Sequence, residues 1–500
     1  MHPTEQSTES VVKVLMSTAR SGNAPEEADP ARIMFVTTWG HLENLTSPLI
    51  EWSADGQLTA GLADSFEWKG NQLHLHIRED YRTLDGLAVT ADDAAFSLKR
   101  LIVLARNTHG FIADFLCENQ PMTKITDDCP GIKTAGNTLI LTPVRGRNFL
   151  VRLLAAMDFV ILLRSEVDPD TLAIKSFRNT TGPYHLETDK AGTRRFFANR
   201  NHWHYSPDMP QKIEWVGYNR NTDKSTDKDL KLEFDLFRRG QVDVLTNYTY
   251  DMPDQYIATA KKVLDSHLTP TLDVNRLLAV FTARGMREIP RNQRLAIGKA
   301  IRAALIPQLT VPGSVSQPTD QFFATFGEGF LSKEQGLTLS NEYEQAPNEV
   351  SVKNLKISLS GSMTQMQDTL RTKFADAVVE LDMADFANGK LRPEQEPQLY
   401  LVQTDTGWNE DLSMLAYTIS TQIFFPTDEV AGKKWLSDYV EIEDKSQRLK
   451  MLNELHYQSL SEPWIVPIVS EPYYTLSSMP WKYEGPKLFG SGALWRLRRN

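Results

Sequence analysis

Three carboxylates crowd one short stretch near residue 405. Thr404-Asp405-Thr406-Gly407-Trp408-Asn409-Glu410-Asp411 sets Asp405, Glu410 and Asp411 beside Gly407, which permits close backbone approach, and Trp408, a broad apolar face. Acidic groups beside an indole suit a ligand with a positive group and an apolar body. A buried ammonium without a carboxylate partner carries a heavy desolvation penalty. The same residues also read as a solvated acidic loop with Trp408 packed beneath it, and both readings stand at this level.

Other residues invite sharper chemistry and mostly lose it on inspection. His74 and His76, two apart on one strand face, have the types of metal ligands, but histidines on the surface of an edge strand are commoner. In His202-Trp203-His204 the indole reads as packing. Asp92-Asp93 and Glu26-Glu27 could be imagined as a glycosidase pair, but the first sits at a helix start, where adjacent residues do not face each other. There is no Gly-x-Ser-x-Gly elbow, Gly-rich phosphate loop or His-Glu-x-x-His zinc helix, so the chain reads as no enzyme, with no metal and no cofactor. Cys117 and Cys129 either close a short loop as a disulfide in an oxidising compartment or are two unrelated buried thiols.

The acidic stretch needs elements to aim it. Leu399, Leu401 and Val402 form a strand running into it. Upstream, Leu355, Ile357 and Leu359 alternate as a strand, and Gly361 turns the chain. A helix follows with Leu370, Phe374, Ala377, Val378 and Leu381 on one face, then a polar linker at 388–397. This strand–helix–strand unit predicts parallel strands and a right-handed crossover. In open α/β sheets ligands bind beyond the carboxyl ends of such strands, which is where 404–411 falls.

Elsewhere, 11–16 reads as a strand, followed by a turn at Ser21-Gly22-Asn23, and 57–78 reads as a hairpin turning at Gly70-Asn71. Thr90 opens a helix with Asp93 completing a capping box. Residues 179–215 are β in character, and 221–231 is a charged start to a helix that Gly240 ends, with Val242 and Val244 as a strand beyond. Residues 291–305 are amphipathic. No internal repeat is visible.

Five hundred residues, at roughly 150 per domain, give two to four structural units. With 41% hydrophobic and 24% charged residues the chain is globular, and a net charge of −10 argues against partners held by phosphate neutralisation, so no nucleic acid is expected. The most apolar stretch, 149–163, is broken by Arg152 and Asp158 and is too short to span a bilayer. The polar N-terminus fits either a cytoplasmic protein or a mature chain whose signal was replaced by an initiator Met.

The segment Asp85-Gly86-Leu87-Ala88-Val89-Thr90-Ala91-Asp92-Asp93-Ala94-Ala95-Phe96-Ser97-Leu98-Lys99-Arg100 resembles a known signature. It is similar to the Asp-Gly-x-Pro-x-Thr-Ala-x-Asp-Val-x-x-Ser-x-x-Arg pattern of the extracytoplasmic solute-binding proteins of ABC importers, family 5. That is the peptide/nickel-binding class, which includes dipeptide- and oligopeptide-binding proteins. Ala88 stands for its Pro and Ala94 for its Val. Asp29-Pro30, Leu62-Ala63-Asp64-Ser65-Phe66, Asn179-Thr180-Thr181-Gly182-Pro183-Tyr184, Asn199-Arg200-Asn201-His202-Trp203 and Gly240-Gln241-Val242-Asp243-Val244 follow in the family's order.

The resemblance implies an α/β, two-lobed periplasmic-binding-protein type II (cluster C) fold with mixed sheets, an extra subdomain in lobe I and a ligand cleft at the hinge. Lobe I would comprise 1–50, 176–271 and 469–500, with the subdomain at 51–175; lobe II would be 272–468. In the family's peptide binders an Asp of the loop matching 405–411 holds the ligand's amino terminus. Here Asp405, Glu410 and Asp411 compete for that role, and the family's Asp-Pro spacing is not kept. Gly407 and Trp408 from lobe II, and Ser21, Gly22, Asn23 and Trp39 from lobe I, complete the expected site.

The function implied is capture of a small solute, a di- or oligopeptide first, by hinge closure and delivery to an ABC transporter permease. The protein would then be a periplasmic or otherwise extracytoplasmic monomer, touching the membrane only through that complex. The alternatives are a non-peptide solute (a sugar, an opine, a metal complex) or a ligand-sensing domain of a regulator. The chain shows no basic helix-turn-helix before Val11, which argues against an intact regulator and leaves a detached sensor domain as that alternative.

Overall fold

A computed structural model describes residues 11–16, 28–32, 36–105, 111–118, 122–188, 193–216, 232–248, 266–272, 275–310, 316–324, 329–359, 364–374, 377–380, 396–405, 412–485 and 492–500. The chain divides into two compact units, Met1–Thr271 with Tyr473–Asn500, and Leu272–Pro472.

In the first unit β1 (Val12–Met16) pairs in parallel on both sides, and Val12, Val14 and Leu15 are all buried, as a strand covered on both faces requires. Helix α1 (Val36–Leu45) follows. The hairpin expected around Gly70-Asn71 is present as β2 (Ala63–Lys69) and β3 (Gln72–Ile77), with Gly70 at φ +63°. With β4 (Ile132–Ala135) and β5 (Thr138–Leu141) they make a four-stranded antiparallel sheet in the order β2-β3-β5-β4. Leu73, Leu75 and Ile77 of β3 are wholly buried, the period-2 pattern of a one-sided sheet.

Helix α2 (Ala91–Leu104) lays Ala94, Leu98, Leu101 and Ile102 inward and packs on β4 and β5. Its start is the capping box that the sequence predicts: Thr90 Oγ1 accepts from the Asp93 N–H at 3.3 Å and Asp93 Oδ2 accepts from the Thr90 N–H at 2.9 Å. Cys117 and Cys129 are joined as a disulfide, which decides between the two readings of these residues.

The larger sheet of this unit has the order β6 (Tyr184–Thr188), β7 (Arg194–Ala198), β8 (Lys212–Trp215), β1, β9 (Val244–Tyr248), the returning strand Tyr474–Ser478, and β10 (Ser266–Pro270). Between β8 and β9 runs α3 (Leu232–Arg238), and Gly240 at φ +66° ends it. The charged stretch 221–231 lies outside the described residues. Gly182 ahead of β6 is a close-approach glycine: a Cβ there would meet Leu45 C at 2.4 Å and Thr46 N at 2.5 Å.

The second unit is built on a six-stranded mixed sheet. Its strands are β11 (Asn275–Phe281), β12 (Gln317–Pro318), β13 (Ile357–Leu359), β14 (Val378–Glu380), β15 (Leu399–Asp405) and β16 (Ile465–Glu471), in the order β12-β16-β11-β15-β13-β14. All residues of β11 and β16 are buried. Helices α4 (Arg291–Leu309), α5 (Thr364–Phe374) and α6 (Lys445–Ser461) belong to the same unit.

The expected strand–helix–strand unit exists with one correction. β13 and β15 are parallel neighbours, but the helix ends at Phe374 and Val378 begins a strand, β14, parallel to β13 on its other side. Ala377 and Val378 extend the helical spacing of Leu370 and Phe374 by coincidence; the Val-Val pair takes the extended backbone that β-branched residues favour beside a parallel neighbour.

Candidate functional site

The parallel strands β13, β14 and β15 point their carboxyl ends at one side of the second unit's sheet. Asp405 is the last residue of β15 and pairs with Asn275, the first residue of β11. Asn275 pairs on its other side with Glu471, the last residue of β16. Three polar residues thus stand in one register row across three strands, and Asn275 and Glu471, directly paired on antiparallel strands, share a face. The chain passes between the units at Thr271/Leu272 and Pro472/Tyr473, so Asn275 and Glu471 stand close in sequence to both crossings. On the first unit's side the two crossing segments are tied together: the Tyr473 N–H donates to Thr271 Oγ1 at 2.8 Å and the Thr271 N–H to the Tyr473 carbonyl at 2.9 Å.

Glu471 is 0% exposed. Its carboxylate accepts from Ser316 Oγ at 2.7 Å and from Gln403 Nε2, reaching across from β15, at 3.2 Å. Asn275 is equally buried, yet neither its Nδ2 nor its Oδ1 has a hydrogen-bond partner among the described residues. A buried polar group left unsatisfied costs about 1–3 kcal/mol, and the described residues offer this carboxamide no partner that would offset it. The neighbouring Arg276, turned to the opposite face by strand alternation, is also buried.

Of the residues singled out from the sequence, Asp405 is located through its backbone, and Trp39 lies in α1, its side chain outside the description. Ser21, Gly22, Asn23, Gly407, Trp408, Glu410 and Asp411 lie outside the described residues. Sequence reading missed Asn275 and Glu471. Each is a polar residue at the end of an apolar run, Leu277–Phe281 and Ile465–Val469, and that interruption is the local signal available.

The histidines do other work. β3 is an inner strand of its sheet, not an edge, so the edge-strand reading of His74 and His76 is corrected. His76 Nδ1 lies 3.0 Å from Asp64 Oδ1 and His74 Nε2 3.3 Å from Gln72 Oε1. Among the described residues no group of three or more His, Cys, Asp or Glu could hold a metal ion. His202 is buried and stacked on Trp203 at 3.8 Å, and burial drives its pKa well below the ordinary histidine value. His204 stacks on Trp495 at 4.0 Å and meets Glu51 Oε2 at 2.5 Å, lining a small cavity of about 70 Å³. Asp92 accepts from Thr134 Oγ1 at 2.8 Å and Asp93, beyond its cap, from the Arg164 N–H at 2.9 Å, so this carboxylate pair is tied to the scaffold.

No family model matches the sequence, and no curated protein matches it. Solved structures do. The murein tripeptide binding protein MppA of Escherichia coli superposes with a TM-score of 0.73 at 15% identity, covering 98% of each chain. Haemophilus influenzae OppA, in complex with RPPGFSPFR, gives 0.71 at 15% identity over 98% of this chain and 99% of that one. NikA from Brucella suis, in complex with Fe(III)-EDTA, gives 0.72 at 13% identity over 98% and 100%. The chain therefore has the fold of these proteins along nearly its whole length.

Proposed function

We propose that this chain is the solute-binding component of an ABC importer. It captures a di- or oligopeptide by hinge closure and hands it unchanged to a membrane permease. The observation that carries this reading is a likeness spanning 98% of the chain to proteins whose names or bound molecules are a murein tripeptide and a nine-residue peptide. Fold alone does not fix function. Two features of the chain support the reading: a polar row where the parallel strands end, close to both chain crossings, and a disulfide suited to an oxidising, extracytoplasmic compartment.

In this reading recognition is noncovalent. Asp405, Glu410 and Asp411 supply carboxylates to the ligand's ammonium, Trp408 an apolar face and Gly407 close approach. Ser21, Gly22, Asn23 and Trp39 contribute from the first unit. A ligand that makes more contacts in the closed state than in the open one favours closure. The likeness to NikA bound to Fe(III)-EDTA supports a second reading, in which the solute is a chelated metal.

A thermal-shift screen with dialanine, trialanine, pentaalanine, sugars and a nickel–histidine complex separates these. At about 1 mM, a ligand with a Kd of about 1 µM stabilises the protein by roughly 4 kcal/mol. The expected result is a shift with a peptide that Asp405→Asn or Asp411→Asn reduces. A shift with the nickel complex alone moves the assignment to a chelate binder, and no shift with any of them contradicts importer-type capture of these solutes.

A further inference from the structure

Asn275 is the one described side chain with two buried polar atoms that both lack a hydrogen-bond partner among the described residues. Its setting makes that unusual. Leu277 lies two residues on along the same face, and Val469 is two residues before Glu471 on the facing strand, so a leucine would pack at this position. Its neighbour Glu471, buried to the same extent, receives two donors. The described residues satisfy one polar group of the row and leave the adjacent one without a partner.

A carboxamide has two N–H donors and a carbonyl acceptor, the complement of a peptide unit, which presents one N–H and one C=O. Sequence-tolerant peptide recognition works through main-chain hydrogen bonds of this kind. The carboxamide also stands in register with Asp405, at the end of the strand that leads into the acidic segment.

We infer that Asn275 is a ligand-recognition residue whose carboxamide hydrogen-bonds a main-chain peptide group of the bound solute. The inference rests on the peptide-capture reading above and adds to it a residue and the bond it makes. The Asn275 amide is buried without a partner among the described residues and is satisfied when a peptide is enclosed against it.

Calorimetric titration tests this with trialanine and with its two analogues in which one amide is replaced by an ester, which removes an N–H donor and weakens the carbonyl acceptor. The proteins are the full chain and the variants Asn275→Leu and Asn275→Ala, and melting of each without peptide is recorded alongside. Both variants should bind trialanine about tenfold more weakly, the loss of one buried hydrogen bond. The wild type should discriminate against at least one ester analogue, and Asn275→Leu should lose that discrimination. Free Asn275→Leu should melt no lower than the wild type, because it removes an unsatisfied group.

Unchanged trialanine affinity in both variants would overturn the inference while leaving the peptide reading intact. So would a free Asn275→Leu that melts well below the wild type yet still discriminates against the ester, since the amide would then be satisfied by a water inside the fold. Failure of the wild type to bind trialanine would overturn the peptide reading, and this inference with it.

Discussion

Arg100 is only 1% exposed and tolerates burial because each of its three guanidinium nitrogens donates to an acceptor. Asp29 takes Nη1 and Nη2 at 2.8 and 2.7 Å, and the Leu172 carbonyl takes Nε at 2.9 Å. Two motifs read separately from the sequence, Asp29-Pro30 and Ser97-Leu98-Lys99-Arg100, are therefore the two halves of one bidentate pair. Removing one partner strands a buried charge. Asp29→Ala is expected to cost about 3–5 kcal/mol, measured by chemical denaturation. A loss within 1 kcal/mol, as for an exposed pair, would contradict the role given to the pair.

His456 is a different case, a histidine buried neutral. Its Nε2 accepts from the Phe322 N–H at 2.9 Å and its Nδ1 faces the Gly329 carbonyl at 2.9 Å. Burial, with the Arg276 charge adding to it, pushes its pKa down to about 4 despite the opposing carbonyl. The unfolded chain, with histidine near its ordinary value of about 6.5, binds the proton first as pH falls. The stability from this residue is therefore complete above about pH 6.5 and is lost between there and about 4, by roughly 3 kcal/mol in total. Unfolding curves of the wild type and His456→Gln over that range should converge as the pH falls. Parallel curves would contradict it.

At the scale of elements, what was legible was what neighbours in sequence decide. Gly70-Asn71 fixes a hairpin and Thr90 with Asp93 fixes a helix start, each within four residues, and both are present as expected. Where periodicity served two masters it misled: Ala377 and Val378 continue a helical stripe on paper, while pairing with β13 makes β14 a strand. The elements of the first unit also yield two expectations. Gly182→Ala would drive a methyl into the backbone of Leu45 and Thr46, with no flexible side chain to yield. It should lower the melting temperature substantially, and an unchanged melting temperature would contradict the close packing there. The disulfide spans a sequence separation of 12. The paired change Cys117→Ser, Cys129→Ser should cost about 3 kcal/mol by loop entropy, read from urea denaturation.

At the scale of the whole molecule, the order of the motifs along the chain pointed to the fold, and the structural likeness over 98% of the chain bears that out. The site was less legible. Asp405 is a candidate from the sequence because the acidic stretch it opens follows a strand end. Asn275 and Glu471 become neighbours only through the pairing of β11 with β16, strands far apart in sequence, and no local pattern encodes that register. A polar residue ending an apolar run is also common at ordinary strand ends, so composition could not separate these two from many others.

Under the proposed function the chain holds a peptide without altering it. Native mass spectrometry of the intact protein mixed with trialanine measures this, followed by denaturation and weighing of what is released. One trialanine per chain is expected, recovered with its mass unchanged. A bare protein at peptide concentrations well above the micromolar range, or recovery of alanine and dialanine in its place, would contradict it.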